Sequence, residues 1–217
     1  FCFLFYLLTF TKRYSTLTKK LLFIFTLLLT LEAKDYLIGF QYATGTVNLN
    51  TTISQGDTGT DPLPTFTDTS KTDFDNGALL LAYKVQEDAR LELEIARGIK
   101  VLKSFYYEYQ MLSYVMVNES PDIEGISLLL GVGAGRLGIK YKAPFNEFSQ
   151  GLIGSAKLGI SLSDERHTLE LGAKRIFFSP ETDTLKGVHP MVQTRTAEYK
   201  FSNLAGNMIY INYLYEL

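Results

Sequence analysis

From residue 36 onward the apolar positions recur with period two, the repeat of a strand with two unlike faces, and not with the 3.6 of a helix. Tyr36, Ile38, Phe40 and Tyr42 alternate with Leu37, Gly39, Gln41 and Ala43. Leu79, Leu81, Tyr83 and Val85 alternate with Leu80, Ala82 and Lys84, and Leu91, Leu93 and Ile95 with Glu92, Glu94 and Ala96. Phe105, Tyr107, Tyr109, Met111 and Val115 alternate with Tyr106, Glu108, Gln110 and Leu112. Leu128, Leu130, Val132 and Ala134 face Leu129, Gly131, Gly133 and Gly135 in the same way. The pattern continues through Ala156–Leu162, Leu169–Ala173 and Ile209–Leu217. Each segment has about the length of a tilted strand that crosses a bilayer. An even number of strands closes a barrel and leaves no unpaired backbone edge in lipid. The expected fold is all-β, an eight-stranded antiparallel up-and-down transmembrane β-barrel over residues 34–217.

The connections alternate in length. Residues 44–76 and 179–206 are long, 138–150 longer than average and 97–104 intermediate, whereas 86–90, 118–125 and 163–167 are short. Short turns at one end and long loops at the other place both termini on the short-turn, periplasmic side. A further strand within 195–203 would break the even count, so Thr196–Ser202 is assigned to the last loop or to an extension of the final strand. The segment Asp73-Phe74-Asp75-Asn76-Gly77 is read as a turn signal leading into the second strand.

Side-chain volume decides which face points where. One stripe carries bulky Leu, Ile, Tyr and Phe, and the other carries Gly, Ala and Ser with scattered charges. An eight-stranded barrel has an interior only just wide enough for side chains, so the lean stripe is expected inside and the bulky one outside. A bulky exterior in water would be a very large apolar patch, so the surroundings are expected to be lipid. The expected interior then holds Lys84, Lys157 and Lys174 with Glu92, Glu94, Glu108, Glu170 and Glu216. Buried charges need partners, so these are expected to pair around trapped water and plug the lumen. There is no Trp; Tyr with Phe must supply the interfacial girdles.

The front of the chain reads differently. Lys19-Lys20, the apolar run Leu21–Leu31 and then Glu32-Ala33 fit a secretory signal peptide cleaved after Ala33. A membrane anchor would need about 20 apolar residues. Phe1 is not a start residue, so the sequence is expected to be a fragment or an over-extended frame, with 1–33 a removed leader. Without the leader's four basic and one acidic residues the net charge falls from −2 to about −5, which disfavours nucleic acid as a partner. The single Cys, Cys2, falls in the leader, so no disulfide, Cys-based zinc site, lipid-attachment cysteine or thiol nucleophile is expected in the mature chain.

Three segments carry a resemblance to a known family. They are Leu128-Leu129-Leu130-Gly131-Val132-Gly133-Ala134-Gly135, the stretch from Gly159 through Asp164-Glu165-Arg166-His167 to Lys174, and the closing Tyr213-Leu214-Tyr215-Glu216-Leu217. They resemble, respectively, the glycine-alternating fifth strand, the β6–turn–β7 hairpin and the C-terminal sorting signal of the small outer-membrane barrels of the OmpA, OmpX and opacity-protein type. The final Leu stands where Phe is commoner. The resemblance implies that Ile211, Tyr213, Tyr215 and Leu217 form the signal read by the barrel-assembly machinery. It does not choose a function, because such barrels serve as anchors, adhesins, small pores and lipid-modifying enzymes.

Several constellations have a plain and a sharper reading. Arg97, Arg136 and Arg175 share outward parity late in upward strands. They form either a basic collar for lipopolysaccharide phosphates, helped by Lys140 and Lys142, or residues turned inward by bulges to meet interior Glu. The acidic, Thr-rich first loop, with Asp57, Asp61, Asp68, Asp73 and Asp75, lacks the ligand order of a calcium loop and reads as a solvated surface. Of the two histidines, His167 falls in a short turn and His189 in the last long loop, near Ser179 and Glu181. No acyl-transfer motif is matched. Gly131-x-Gly133-x-Gly135 lacks the Lys-Ser/Thr ending of a phosphate loop and is not followed by a helix pattern. The expectation is a monomeric, non-enzymatic barrel without metal or cofactor that displays long loops in a structural, adhesion or surface-interaction role. Its expected partners are outer-membrane lipids and lipopolysaccharide, the assembly machinery and a host or surface ligand. The alternatives are a narrow channel or hydrophobic-solute carrier and, more remotely, a lipid A-modifying enzyme.

Overall fold

The computed structural model describes residues 35–55, 65–100, 105–141, 148–180, 185–188 and 196–217. The expected leader, 1–33, lies outside them. Nine strands follow in order: β1 (Tyr36–Gln55), β2 (Phe66–Gln86), β3 (Ala89–Lys100), β4 (Phe105–Glu119), β5 (Ile126–Tyr141), β6 (Phe148–Asp164), β7 (His167–Pro180), β8 (Leu185–Val188) and β9 (Thr196–Glu216). Each of β1–β6 pairs antiparallel with the next, β7 pairs with β9, and β9 pairs with β1. Eight strands therefore close a barrel. The ninth, β8, is not part of the closed ring; among the described residues it pairs with the first residues of β9, from Val188↔Thr196 to Leu185↔Tyr199. Thr196–Ser202 extends the final strand, so the even count stands.

The short connections are tight. β6 turns into β7 through Glu165 and Arg166, with Glu165 at φ +36°. The β4–β5 turn ends on Gly125, whose φ of +77° lies in the left-handed region that suits glycine.

The long connections are shorter than their sequence suggested. β1 and β2 stay paired as far as Ile53↔Phe66, and β1 pairs with β9 as far as Gln55↔Ala197. The four strands β2–β1–β9–β8 thus continue as one sheet past the polar residues of the wall, and its far end packs on the interior: Ile53, Ala197 and Tyr199 are buried in one cluster with Ile139, Ile153 and Phe178, and β8 comes close to β5 across the barrel. Much of 44–76 and 179–206, expected as loop, is strand. The Asp73–Gly77 segment is not a turn; it runs through β2 with Phe74 and Asn76 fully buried. Thr, Val and Ile recur through these strands and suit a pleated surface.

The exterior is a continuous apolar belt. Phe40, Val132, Leu152 and Ile209 are all more than 60% exposed, and Tyr83, Leu112, Leu130, Leu158, Ile160, Leu171 and Ile211 extend the belt round the barrel. A soluble monomer rarely shows a patch beyond a few hundred Å², so this surface is built for hydrocarbon. Tyr36, Tyr83, Tyr114 and Tyr213 gather at its short-turn edge, with the Tyr36 and Tyr83 rings 5.0 Å apart. Tyr42, Tyr106 and Phe177 stand at the other edge and face outward.

The interior has two zones, and here the volume argument fails in part. Toward the long-hairpin end it is filled by bulky residues. Val47, Phe74, Tyr107, Tyr109, Met111, Ile139, Ile153, Ile176 and Phe178 form one buried cluster. Phe74 stacks on Tyr107 at 4.0 Å between ring centroids, and the Tyr107 ring lies parallel to that of Tyr109. The faces of β4 are therefore the reverse of those expected. Tyr107, Tyr109, Met111 and Val115 point in, while Tyr106, Glu108, Gln110 and Leu112 point out. Glu108 is not an interior residue. Both stripes of β4 are bulky, so volume along this one strand could not choose; its inward rings fit because glycines lie beneath them. At Gly98 a side chain would run into the Tyr107 ring. Gly98→Ala is expected to lower stability by about 1–3 kcal/mol through overpacking. Gly98→Ala combined with Tyr107→Leu should recover part of the loss in a urea titration followed by gel migration.

Candidate functional site

The period-two repeat that makes β3 a strand places Arg90, Glu92 and Glu94 on one inward stripe, all buried. Across the interior, β6 contributes Lys157, β7 Glu170 and Lys174, and β9 Asn212, likewise buried. Glu92 accepts from Lys157 Nζ at 2.5 Å and from Arg90 at 3.1 Å. Arg90 also donates to Glu170, which accepts from Asn212 Nδ2 at 2.8 Å. Lys174 Nζ meets Glu94 at 2.5 Å, and the Tyr109 hydroxyl donates to the same carboxylate at 2.5 Å. That hydroxyl accepts from Asn76 Nδ2 at 2.6 Å. Lys174 also stands 5.3 Å from the Tyr109 ring centroid.

Three cations face three anions in two adjoining clusters, Lys157–Glu92–Arg90–Glu170–Asn212 and Lys174–Glu94–Tyr109–Asn76, which together form the interior network. Every charged group has an opposite partner, which is what burial in a low-dielectric interior requires. Gln41, Ser161 and Tyr210 keep buried polar atoms with no protein partner, positions that call for water. The network ends near the short turns, where a cavity of about 420 Å³, lined by Lys84, Arg90, Ser127, Ser161 and Glu216 among others, reaches in as far as Arg90. Lys84 and Glu216 pair at its mouth at 2.6 Å. The apolar residues Leu37, Leu80, Ala82 and Leu214 pack the wall beside it.

Of the eight residues expected inside, Lys157, Lys174, Glu92, Glu94 and Glu170 meet in this network, Lys84 and Glu216 pair at the rim, and Glu108 faces outward. The sequence reading missed Arg90, which shares parity with Glu92 and Glu94 but sits beside a turn. It missed Tyr109 because β4 was turned the wrong way. Asn76 was hidden in a supposed loop.

The three outward-parity arginines are exposed, and no bulge turns them inward. Arg175 lies against the Phe177 ring at 5.3 Å. They belong to a ring of outward polar residues, one or two per strand, where the apolar belt ends. Thr44, Asp75, Arg97, Glu108, Gln110, Arg136, Gln150, Arg175 and Asn207 compose it, with Thr44 Oγ1 donating to Asp75 at 2.5 Å. Lys140 is placed on β5 opposite Tyr106; Lys142 lies outside the described residues. Ile211, Tyr213 and Leu217 are exposed near the short-turn end, and Tyr215 is half-buried. His167 Nδ1 lies 2.7 Å from the Tyr213 hydroxyl. Ser179 is exposed, while Glu181, His189, Asp57 and Asp61 lie outside the described residues. Among the described residues no group of His, Cys, Asp and Glu could hold a metal.

No protein-family model matches the chain, and no curated protein sequence matches it. Solved structures do. Neisserial surface protein A is 11% identical, with 82% of this chain and 97% of that one covered and a TM-score of 0.54. The outer membrane protein OprG from Pseudomonas aeruginosa is 12% identical, with 86% and 98% covered and a TM-score of 0.54. At such identities the likeness is one of fold. It agrees with the closed strand order, the short turns at one end and the exposed apolar belt. The chain has the fold of a closed eight-stranded antiparallel β-barrel, similar to that of these two bacterial surface and outer-membrane proteins.

Proposed function

We propose that this protein is a non-enzymatic, monomeric outer-membrane barrel whose interior does not conduct. Its work lies at its long-hairpin end, in envelope structure, adhesion or surface contact. The observation that carries this reading is the charge-balanced network spanning β3, β6, β7 and β9 beneath a packed aromatic layer. Among the described residues these two layers fill the interior, which supports a closed lumen and leaves the long-hairpin end as the part that meets the surroundings. Export behind the 1–33 leader and docking of Ile211, Tyr213, Tyr215 and Leu217 on the barrel-assembly machinery belong to the same reading.

Conductance in planar bilayers tests it. The purified barrel is expected to give no discrete current steps, whereas stable unitary currents would overturn the sealed interior. The polar cavity that opens from the periplasmic end to Arg90 favours a second reading, a narrow channel gated at that arginine. Arg90→Ala would then raise the current that the unaltered protein already passes. If the barrel were a lipid A-modifying enzyme instead, its expression would shift the mass of lipid A, and an unchanged spectrum is expected.

A further inference from the structure

On the outside of the barrel, β3, β4 and β5 enclose a groove of about 350 Å³ where the apolar belt meets the polar ring. Its polar lining is Arg97, Glu108, Gln110, Arg136 and Gln150, and Ile95 is among its apolar residues. Arg97 stands directly across from Glu108 on β4, and Arg136 across from Gln110. The two guanidiniums therefore flank one outward stripe from either side, two strand spacings or about 10 Å apart at the backbone.

Position fixes what can reach them. From the turn at Ala89 to Arg97 the chain climbs eight residues. With about 3.3 Å per residue and a tilt of about 40° this is roughly 20 Å, near the height of an outer-membrane apolar band. The groove thus opens at the boundary between acyl chains and headgroups, on the side of the long hairpins. Arg90 inside the barrel spends its charge on two glutamates. Arg97 and Arg136, by contrast, form no ion pair with any described carboxylate. Two fork-shaped donors with unspent hydrogens beside two amide side chains, against a single carboxylate, form a net cationic site. Guanidinium geometry matches phosphate oxygens two at a time.

We propose that this groove binds a phosphoryl group of the outer-leaflet glycolipid, lipid A, with Arg97 and Arg136 as its paired donors, Gln110 and Gln150 as neutral donors, and Ile95 bordering the first acyl carbons. Glu108 opposes the bound anion and keeps the site from being a stronger trap. The inference rests on the outward orientation of the exterior and not on the sealed interior, so either can fail alone.

The test uses the full barrel folded into phosphatidylcholine nanodiscs doped with bis-phosphorylated lipid A, dephosphorylated lipid A or phosphatidylglycerol. Lipid retained after transfer to detergent is counted by native mass spectrometry. Retention of the phosphorylated form is expected, with about a tenfold loss in the Arg97→Gln/Arg136→Gln double variant. Glu108→Gln is expected to raise retention, and Lys71→Gln, exposed on β2 outside the groove, to leave it unchanged. Heat-modifiable gel migration confirms that each variant is folded, and should the double variant misfold, the Glu108→Gln and lipid-type comparisons still decide. Equal retention of dephosphorylated lipid A would overturn the phosphate contact. Equal retention of phosphatidylglycerol would overturn lipid A as its source. A Glu108→Gln variant that binds less would overturn the assigned charge balance.

Discussion

Replacing Glu92 by glutamine is expected to cost the barrel about 3–5 kcal/mol of folding free energy, the largest single effect of any substitution in the interior. Glu92 is shared by Lys157 and Arg90. Neutralising it leaves one cation with no carboxylate and the other with only Glu170. Lys157 is buried and cannot reach water without unpacking the wall, whereas Arg90, at the inner end of the short-turn cavity, keeps Glu170. The loss should therefore exceed that from removing Lys84, whose partner Glu216 sits at the solvent-facing rim, where an ion pair is worth about 1 kcal/mol or less. Adding Lys157→Met to Glu92→Gln should return part of the loss, since it removes the stranded charge; that non-additivity is the signature of a direct pair. The chain has no Trp, so urea unfolding in lipid vesicles is best followed by far-ultraviolet circular dichroism and by the gel shift of the folded form. A Glu92→Gln barrel as stable as the original would mean that the network contributes nothing.

The second large effect belongs to the exterior. Val132 on β5 is 64% exposed, between Leu130 and Ala134 on the outward stripe. Val132→Arg should destabilise the barrel in bilayers by about 2–4 kcal/mol, the cost of a cation near the midplane. In a detergent micelle, whose thin apolar shell deforms easily, the penalty should shrink. A substitution without effect in bilayers would mean that this surface never meets hydrocarbon, and the membrane assignment would fall with it.

These two sites also show what the sequence could and could not tell. Over the short-turn halves of β5, β6 and β7 the inward stripe is mostly Gly, Ser, Lys and Glu and the outward one mostly Leu, Val and Ile, so volume orients each strand and period two delivers Lys157, Glu170 and Lys174 to the interior. On β4 Tyr106, Leu112 and Tyr114 compete with Tyr107, Tyr109 and Met111. The choice there is made by the neighbours, through the space that Gly98 leaves for the Tyr107 ring, and no single strand records it. The error carried Glu108 inward and Tyr109 outward, and so hid both the hydroxyl that completes the Glu94 pair and the carboxylate that lies between the two rim arginines. Asn76 and Phe74 were lost for a different reason. Polar residues with a glycine look like a turn, yet here they belong to a strand that runs on past the membrane boundary, held by pairing with β1 over its full length.

That length has a consequence for how the molecule is made. The seam between first and last strands runs from Leu37↔Glu216 to Gln55↔Ala197, interrupted only by an irregularity between Asn48 and Asn50. Its partners are far apart in the chain, so their meeting carries the highest entropic toll of any pairing and should come late. Until they meet, the β2–β1–β9–β8 sheet is also unfinished, because β9 is its third strand. A newly made chain should therefore acquire this sheet and its closed cylinder in one event, and antibodies that recognise the finished long-hairpin end would report completed biogenesis.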